Sequence, residues 1–386
     1  MLHPDYPFWN LIALVLVLLP APWHWRAHNI ATVSLIVWLT FANLCGFINT
    51  IIWSGSYADK SPVWCDISSR VPLLVGYAVP LCSLSQMRRL ESVASTRRSL
   101  ISSRVRKQRV WEEIIICLLF PVILTALQYV VQGHRYDIIE GIGCSNPTFM
   151  SVPGLIIRFI IPMVVAVTSL IFAALAVRWF LIRRLQFRTI LASSDSKLSI
   201  GRYIRLIALA VTDSTVVLVV IVYAAVNALS DSSLPMRPYR DWAYVHQDFS
   251  QISQYPEELF SSSWPAVVMN VYAPILYSIL FFAFFGFGEE AVSEYLAIGD
   301  KVIQLLETMG FMCKSRSGSV FKDLRIDLGS KVVPAFDGNN LESTSLGDLR
   351  DDTSEKGFQS LESRAEKVTP LNNMGIAVRV ERSVVI

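Results

Sequence analysis

The chain has 386 residues, 53% of them hydrophobic and only 17% charged, with a mean hydropathy of +0.46. Soluble domains average about 25% charged residues, so an ordinary soluble enzyme is disfavoured, and a net charge of only +3 on so apolar a chain excludes general disorder. Residues 288–386 hold 12 basic and 16 acidic side chains while the preceding residues hold 22 and 15, which separates an apolar, slightly basic body from a polar, slightly acidic tail.

A hydrocarbon core about 30 Å thick needs about 20 apolar helical residues to cross it. Seven such runs follow one another at about 8–25, 30–53, 65–87, 111–132, 152–181, 202–228 and 264–288. No Lys or Arg precedes the first run, and Pro20-Ala21-Pro22-Trp23 is not a small-residue cleavage site. It therefore reads as a retained anchor helix and not as a secretory signal. The third run is the least hydropathic, with Arg70, several serines, Pro72 and Pro80. It still counts as a span, because neighbouring helices can satisfy the backbone groups that prolines free. With the N-terminus outside, the inner connections hold 15 basic residues and the outer ones only Lys60, Arg135, Arg237 and Arg240. That asymmetry places the tail in the cytosol. Trp23, Trp25, Trp53, Trp64, Trp111, Trp179 and Trp264 fall near span ends, as an aromatic belt would put them.

After the seventh run, Tyr295, Leu296, Ile298, Val302, Ile303, Leu305, Leu306 and Met309 recur at helical spacing. They suggest an interfacial amphipathic helix over 291–314. Cys313, beside Lys314 and Arg316, is a palmitoylation candidate or a plain reduced cysteine. Residues 315–386 read as a disordered cytoplasmic tail, with serines in 343–354 and 360–363 open to phosphorylation. The expected fold is an all-α membrane protein. Residues 1–290 form the seven-transmembrane helix bundle, and the juxtamembrane helix and tail follow.

Several functions fall away. A covalent retinal protein needs a lysine in its last helix, and 264–288 has none. The five histidines read as lying outside the spans, and His-Glu-x-x-His, Gly-x-Ser-x-Gly, Walker and Gly-x-Gly-x-x-Gly motifs are missing, so no metal, cofactor or catalytic chemistry is expected. Seven spans without a visible repeat argue against a transporter or channel, which stays as the alternative. Signal transduction remains. Arg88, Arg89 and Glu91 follow the third span, and Arg183, Arg184 and Arg188 the fifth, lining the inner mouth with basic residues. Positive-inside topology with contact to anionic membrane lipids explains the charge equally well.

Specific wording carries the reading further. Arg89-Leu90-Glu91-Ser92-Val93-Ala94-Ser95-Thr96-Arg97, Arg178-Trp179-Phe180 through Arg184 with Phe187 and Ala192-Ser193-Ser194, Gln251-Ile252-Ser253-Gln254-Tyr255-Pro256, and Phe281 through Gly288 occur in that order. Together they resemble the fungal mating-pheromone receptors of the lipopeptide (a-factor) type, over roughly residues 5–295. The resemblance implies a G-protein-coupled receptor on a fungal plasma membrane. Its ligand would be a short peptide with a prenylated, carboxymethylated C-terminal cysteine, and its output a heterotrimeric G protein feeding a mating MAP-kinase cascade. A homodimer is compatible with such a receptor, and nucleic acid is not a partner. In this setting Arg88, Arg89, Glu91, Arg97, Arg183, Arg184 and Arg188 become the candidate G-protein contacts.

The remaining candidates come from position. Cys65 and Cys144 both fall on the oxidising outer side, where a disulfide between them is expected. Cys45, Cys82 and Cys117 lie within spans and read as packing residues. Arg70 and Arg158 sit within about 10 Å of the outer surface. They line a peptide vestibule, with Asp66 a potential partner, or snorkel to headgroups. Tyr77, Tyr223, Asn227, Asn270 and Tyr272 lie on outer halves, where they frame a ligand cavity or simply pack. Asn43 and Asp213 sit at similar depth, a candidate polar switch or plain interhelical glue. Pro80, Pro121, Pro162 and Pro274 weaken their spans as hinges or static kinks. The long outer loop 229–263 reads as a folded lid.

Overall fold

The computed structural model describes residues 3–95, 103–182, 200–230, 236–260 and 264–287, together with 291, 292, 295 and 299. Among the described residues, seven helices are long and apolar enough to cross a membrane: α1 (Asp5–Arg26), α2 (Ile30–Ile52), α3 (Pro62–Ala94), α4 (Lys107–Val131), α5 (Val152–Ile182), α6 (Tyr203–Ser230) and α7 (Val267–Phe285). All seven expected runs are present, and the chain is a multi-pass helical membrane protein. The ends extend past the hydropathic stretches, most clearly in α3, which starts at Pro62 with proline at its first helical position and runs on to Ala94. His24, read as lying outside the spans, is buried at the end of α1 among Trp23, Phe281 and Phe285.

α3 is the centre of the bundle. It packs on α2, α4, α5 and α6, and 67% of its most apolar window is buried, against 28% in α4 and α5 and 22% in α7. This explains its weak hydropathy: a helix surrounded by protein meets polar partners, whereas lipid-facing helices must be apolar on their outer faces. Phe41, Ile123, Val164 and Val222 are among those exposed apolar side chains.

Two prolines set the local geometry of α4 and α5. Pro121 and Pro162 cannot donate to the carbonyls of Cys117 and Arg158, and their rings crowd those carbonyls. Each helix widens to a π-turn just before its proline, at Ile115–Leu119 and Ile156–Ile160. Neighbouring helices supply donors to the Cys117 carbonyl and to the Ile157 carbonyl, next to that of Arg158. The Trp38 indole donates to Cys117 O at 2.8 Å, and the Tyr77 hydroxyl donates to Ile157 O at 2.8 Å.

At the end of the bundle that holds His3, the connecting segments form a capping layer. β1 (Tyr136–Ile139) pairs antiparallel with β2 (Gly143–Ser145) and parallel with β3 (Ile252–Tyr255), so two loops more than 100 residues apart share one sheet. The hairpin turn needs glycine at 143. Its φ is +98°, and a Cβ there would come within 2.8 Å of Asn49 Cβ. The sheet covers a small core of Trp53, Cys65, Tyr136, Ile138 and Cys144, and the Gly141 amide donates to Trp53 O at 2.9 Å. Trp53 is therefore part of this core and not of an interfacial belt.

Candidate functional site

The capping layer is tied down covalently and electrostatically. Cys65 at the start of α3 and Cys144 in β2 are joined in a disulfide with Cα atoms 5.3 Å apart. Arg135 grips Asp66 with two hydrogen bonds, Nε to Oδ1 at 2.9 Å and an η nitrogen to Oδ2 at 2.6 Å. The Asp66 carboxylate holds the Arg135 guanidinium still more firmly protonated than usual. Tyr136, buried beneath the sheet, donates to Asp59, and burial with the nearby Asp59 charge pushes its phenol up to about 12. His3 pairs with Glu257 and His134 with Asp137. The 236–260 segment docks on the end of α4: both ring nitrogens of His246 lie 2.9 Å from carbonyl oxygens, those of Trp242 and Tyr129, and its ring stacks on Trp242. The lid expected from 229–263 is folded where it is described, and the Gln251–Pro256 wording is β3 itself.

Under this layer lies a cavity of about 150 Å³ among α1, α2, α3, α5, α7 and the hairpin. Its polar lining includes Asn10, Asn49, Asn146, Asn270, Ser68 and Arg158, with Thr50, Ser69 and Ser145, and no carboxylate lines it among the described residues. Some of these groups are already engaged. Asn10 donates to Tyr6 O at 2.8 Å, and Asn49 Oδ1 accepts from the Trp64 indole at 2.6 Å. Others are not. Ser68 Oγ and both polar side-chain atoms of Asn146 are buried without a hydrogen-bond partner among the described residues. Arg158, which sits in the π-turn of α5, makes no hydrogen bond or ion pair to any described residue.

Of the expected ligand residues, Arg158 and Asn270 line this cavity, and five do not. Arg70 donates to the main-chain oxygen of Asp66 at 3.3 Å, while the Asp66 carboxylate belongs to Arg135. Tyr77 is spent on the α5 carbonyl, and Tyr272 donates to Asp5 at 2.5 Å. Tyr223 is exposed on the outside of α6, and the Asn227 amide folds back on Tyr223 O at 2.8 Å. Asn146 and Ser68 were missed; their signal was position, since they lie close in sequence to Cys144 and Cys65. The Asn43–Asp213 contact is corrected too. Asn43 donates to Ser278 of α7 at 2.8 Å and to Leu39 O, while Asp213 Oδ1 is buried without a partner. No hydrogen bond joins Asn43 to Asp213.

At the opposite end, Arg88 pairs with Glu112 at 2.9 Å and Arg89 with Glu113 at 3.6 Å, joining the ends of α3 and α4. These pairs and Arg109 border a second, polar cavity of about 260 Å³ that Glu91 also lines. Arg97, Arg183, Arg184, Arg188, Cys313 and the tail lie outside the described residues. Ala291 is buried and Tyr295 rests edge-on against Trp23, so the chain past α7 starts beneath the end of α1.

A family model described as "STE3: Pheromone A receptor" matches residues 6–303. The "Pheromone B beta 1 receptor" of Schizophyllum commune is 36% identical over 307 residues, covering 78% of this chain and 56% of that protein. "Pheromone receptor 1" of Mycosarcoma maydis is 35% identical over 299 residues, covering 76% of this chain and 83% of that protein. The "Pheromone a factor receptor" of Saccharomyces cerevisiae is 23% identical over 304 residues, covering 74% and 59%. The chain spans only about half the length of the Schizophyllum relatives, 56% of one and 48% of another.

Proposed function

The chain belongs to the STE3 pheromone A receptor family, and from that premise we propose that it is a plasma-membrane receptor for a short peptide pheromone whose C-terminal cysteine is prenylated and carboxymethylated. The match of the family model along the whole bundle carries this reading. The disulfide supports placing the capping layer outside the cell, because disulfides persist in oxidising compartments. The excess of basic residues on the opposite connections supports a cytoplasmic face there.

In this reading the peptide enters beneath the capping layer and engages the cavity through Arg158 and Asn270. Arg70, Tyr77, Tyr223, Asn227 and Tyr272 act around it, by holding the helices or by framing the lipid's approach. Binding biases an existing equilibrium between inactive and active bundles, as any ligand with unequal affinity for two states must. At the cytoplasmic end Arg88, Arg89, Glu91, Arg97, Arg183, Arg184 and Arg188 engage a heterotrimeric G protein that drives mating MAP-kinase signalling. The Arg88–Glu112 pair is a surface contact weak enough to be exchanged for a partner, while Glu113 in the second pair is largely buried. The protein itself catalyses nothing. Residues 1–290 are the receptor domain, 291–314 a juxtamembrane amphipathic helix with Cys313 as its lipidation site, and 315–386 a cytoplasmic tail.

The test is expression in a yeast strain lacking its own pheromone receptor, with a mating-pathway reporter. Prenylated, carboxymethylated candidate peptides from compatible mating types are compared with the same peptides unmodified. A response to the modified form alone is expected. Silence across the panel, with surface expression verified, contradicts the reading and favours a transport role.

A further inference from the structure

The cavity beneath the capping layer is bordered by polar groups that the fold leaves unsatisfied. Buried polar groups in native proteins are nearly all hydrogen-bonded, and each exception needs a reason. Two such exceptions border one small space, both ends of the Asn146 amide and the hydroxyl of the fully buried Ser68, and the half-buried Arg158 lines it without a hydrogen bond or ion pair to any described residue. They reach it from α5, the β2 hairpin and α3, so no local turn preference brings them together. The disulfide binds the two segments that carry Ser68 and Asn146. The π-turn before Pro162 places Arg158 within a widened stretch of helix, a geometry frequent at functional sites.

The lining defines the chemistry of the occupant. It offers one cation, several amide and hydroxyl donors and no carboxylate, so it rejects a cation and favours oxygen acceptors. Its size defines the occupant's bulk. About 150 Å³ is well below the roughly 300–1,000 Å³ of a pocket that swallows a whole ligand. An isoprenoid chain does not fit; a terminal ester or carboxylate with the neighbouring amide does. We propose that this cavity is the subsite for the oxygen-bearing C-terminus of the ligand, with Arg158, Asn146 and Ser68 donating to its carbonyl oxygens while the lipid lies outside the cavity. The proposal rests on the lipopeptide-receptor reading given above.

The test uses the purified full chain in lipid nanodiscs and three probes: N-acetyl-S-farnesylcysteine methyl ester, its free acid, and N-acetyl-S-farnesylcysteamine, which keeps the lipid but lacks the terminal carbonyl. Both oxygen-bearing probes are expected to bind about ten-fold or more tighter than the cysteamine, the scale of a hydrogen bond to a charged group. Tighter binding of the ester identifies a capped terminus, and tighter binding of the acid a free one. Arg158→Met is expected to erase the preference while the cysteamine binds as before, and Asn146→Leu, on the hairpin side of the cavity, to reduce it several-fold. Equal binding of all three probes, or a preference that survives in both variants, overturns the subsite and leaves the receptor reading standing. Failure of every probe to bind the unaltered chain overturns the receptor reading and the subsite with it.

Discussion

The capping layer and the cavity beneath it use the same kinds of side chain in opposite ways. In the layer Arg135 is clasped by Asp66, Tyr136 by Asp59, His3 by Glu257 and His134 by Asp137. A few residues away, Arg158 and Asn146 have no partner among the described residues. The Arg135–Asp66 pair stays more than a third exposed, whereas Ser68 and the Asn146 amide are closed off from water. Partnership separates the two regions as well. A paired charge is spent on holding the fold, whereas an unpaired one costs stability and persists where something else repays it.

The strongest way to break this comparison is to remove the bond that joins the two regions. Cys65→Ser or Cys144→Ser is expected to lower stability by about 2–5 kcal/mol and to lose pheromone response through loss of folded receptor. Thermal unfolding in detergent and surface staining measure both effects. A gentler change turns a paired group into an orphan: Trp38→Phe leaves the Cys117 carbonyl unmet inside the bundle. A loss of about 1 kcal/mol is expected, with ligand potency among folded molecules unchanged, as saturation binding on the purified variant would report.

A double-mutant cycle on Asn43 and Ser278 is expected to give a coupling of about 0.6 kcal/mol, typical of interhelical hydrogen bonds in membranes. The same cycle on Asn43 and Asp213 is expected to give none. The smallest effect concerns pH. Tyr136 ionises near 12 in the folded layer, against an ordinary 10.0. Since the folded value is the higher, the stability it contributes is intact below pH 10 and is lost as pH rises towards 12. Tyr136→Phe is expected to remove that part of the alkaline destabilisation in a pH series of melting curves.

The parts of this organisation that the sequence reveals are those that depend on position along a helix axis. Seven apolar runs follow from length and composition, and the Cys65–Cys144 pair from both cysteines lying towards one end of the bundle. Rotation about the axis is another matter. Arg70 and Arg158 have similar depth, yet one turns to a main-chain oxygen and the other into the cavity. Asn43 bonds to Ser278, while Asp213 Oδ1 has no partner among the described residues. In a helix that lipid or protein can solvate on every side, hydropathy leaves that rotation open; packing sets it. The sheet escaped for a different reason. Its strands are three or four residues long and pair across more than 100 residues, although Tyr136-Asp137-Ile138-Ile139 before Gly141 carries the β-branched run and turn glycine of a hairpin. Pro121 and Pro162 are visible in the sequence as weak points. Trp38 and Tyr77, which repair the ladders they loosen, are not.

The most direct measurement is the melting temperature of two single variants of the purified, ligand-free receptor, Arg135→Leu and Arg158→Leu, beside the unaltered chain. Arg135→Leu strips Asp66 of its partner and should melt lower. Arg158→Leu removes a charge that nothing in the bundle repays and should melt at or above the parent. If Arg158→Leu instead melts lower than Arg135→Leu, Arg158 holds the fold, and the separation between a paired layer and an unpaired ligand site is wrong.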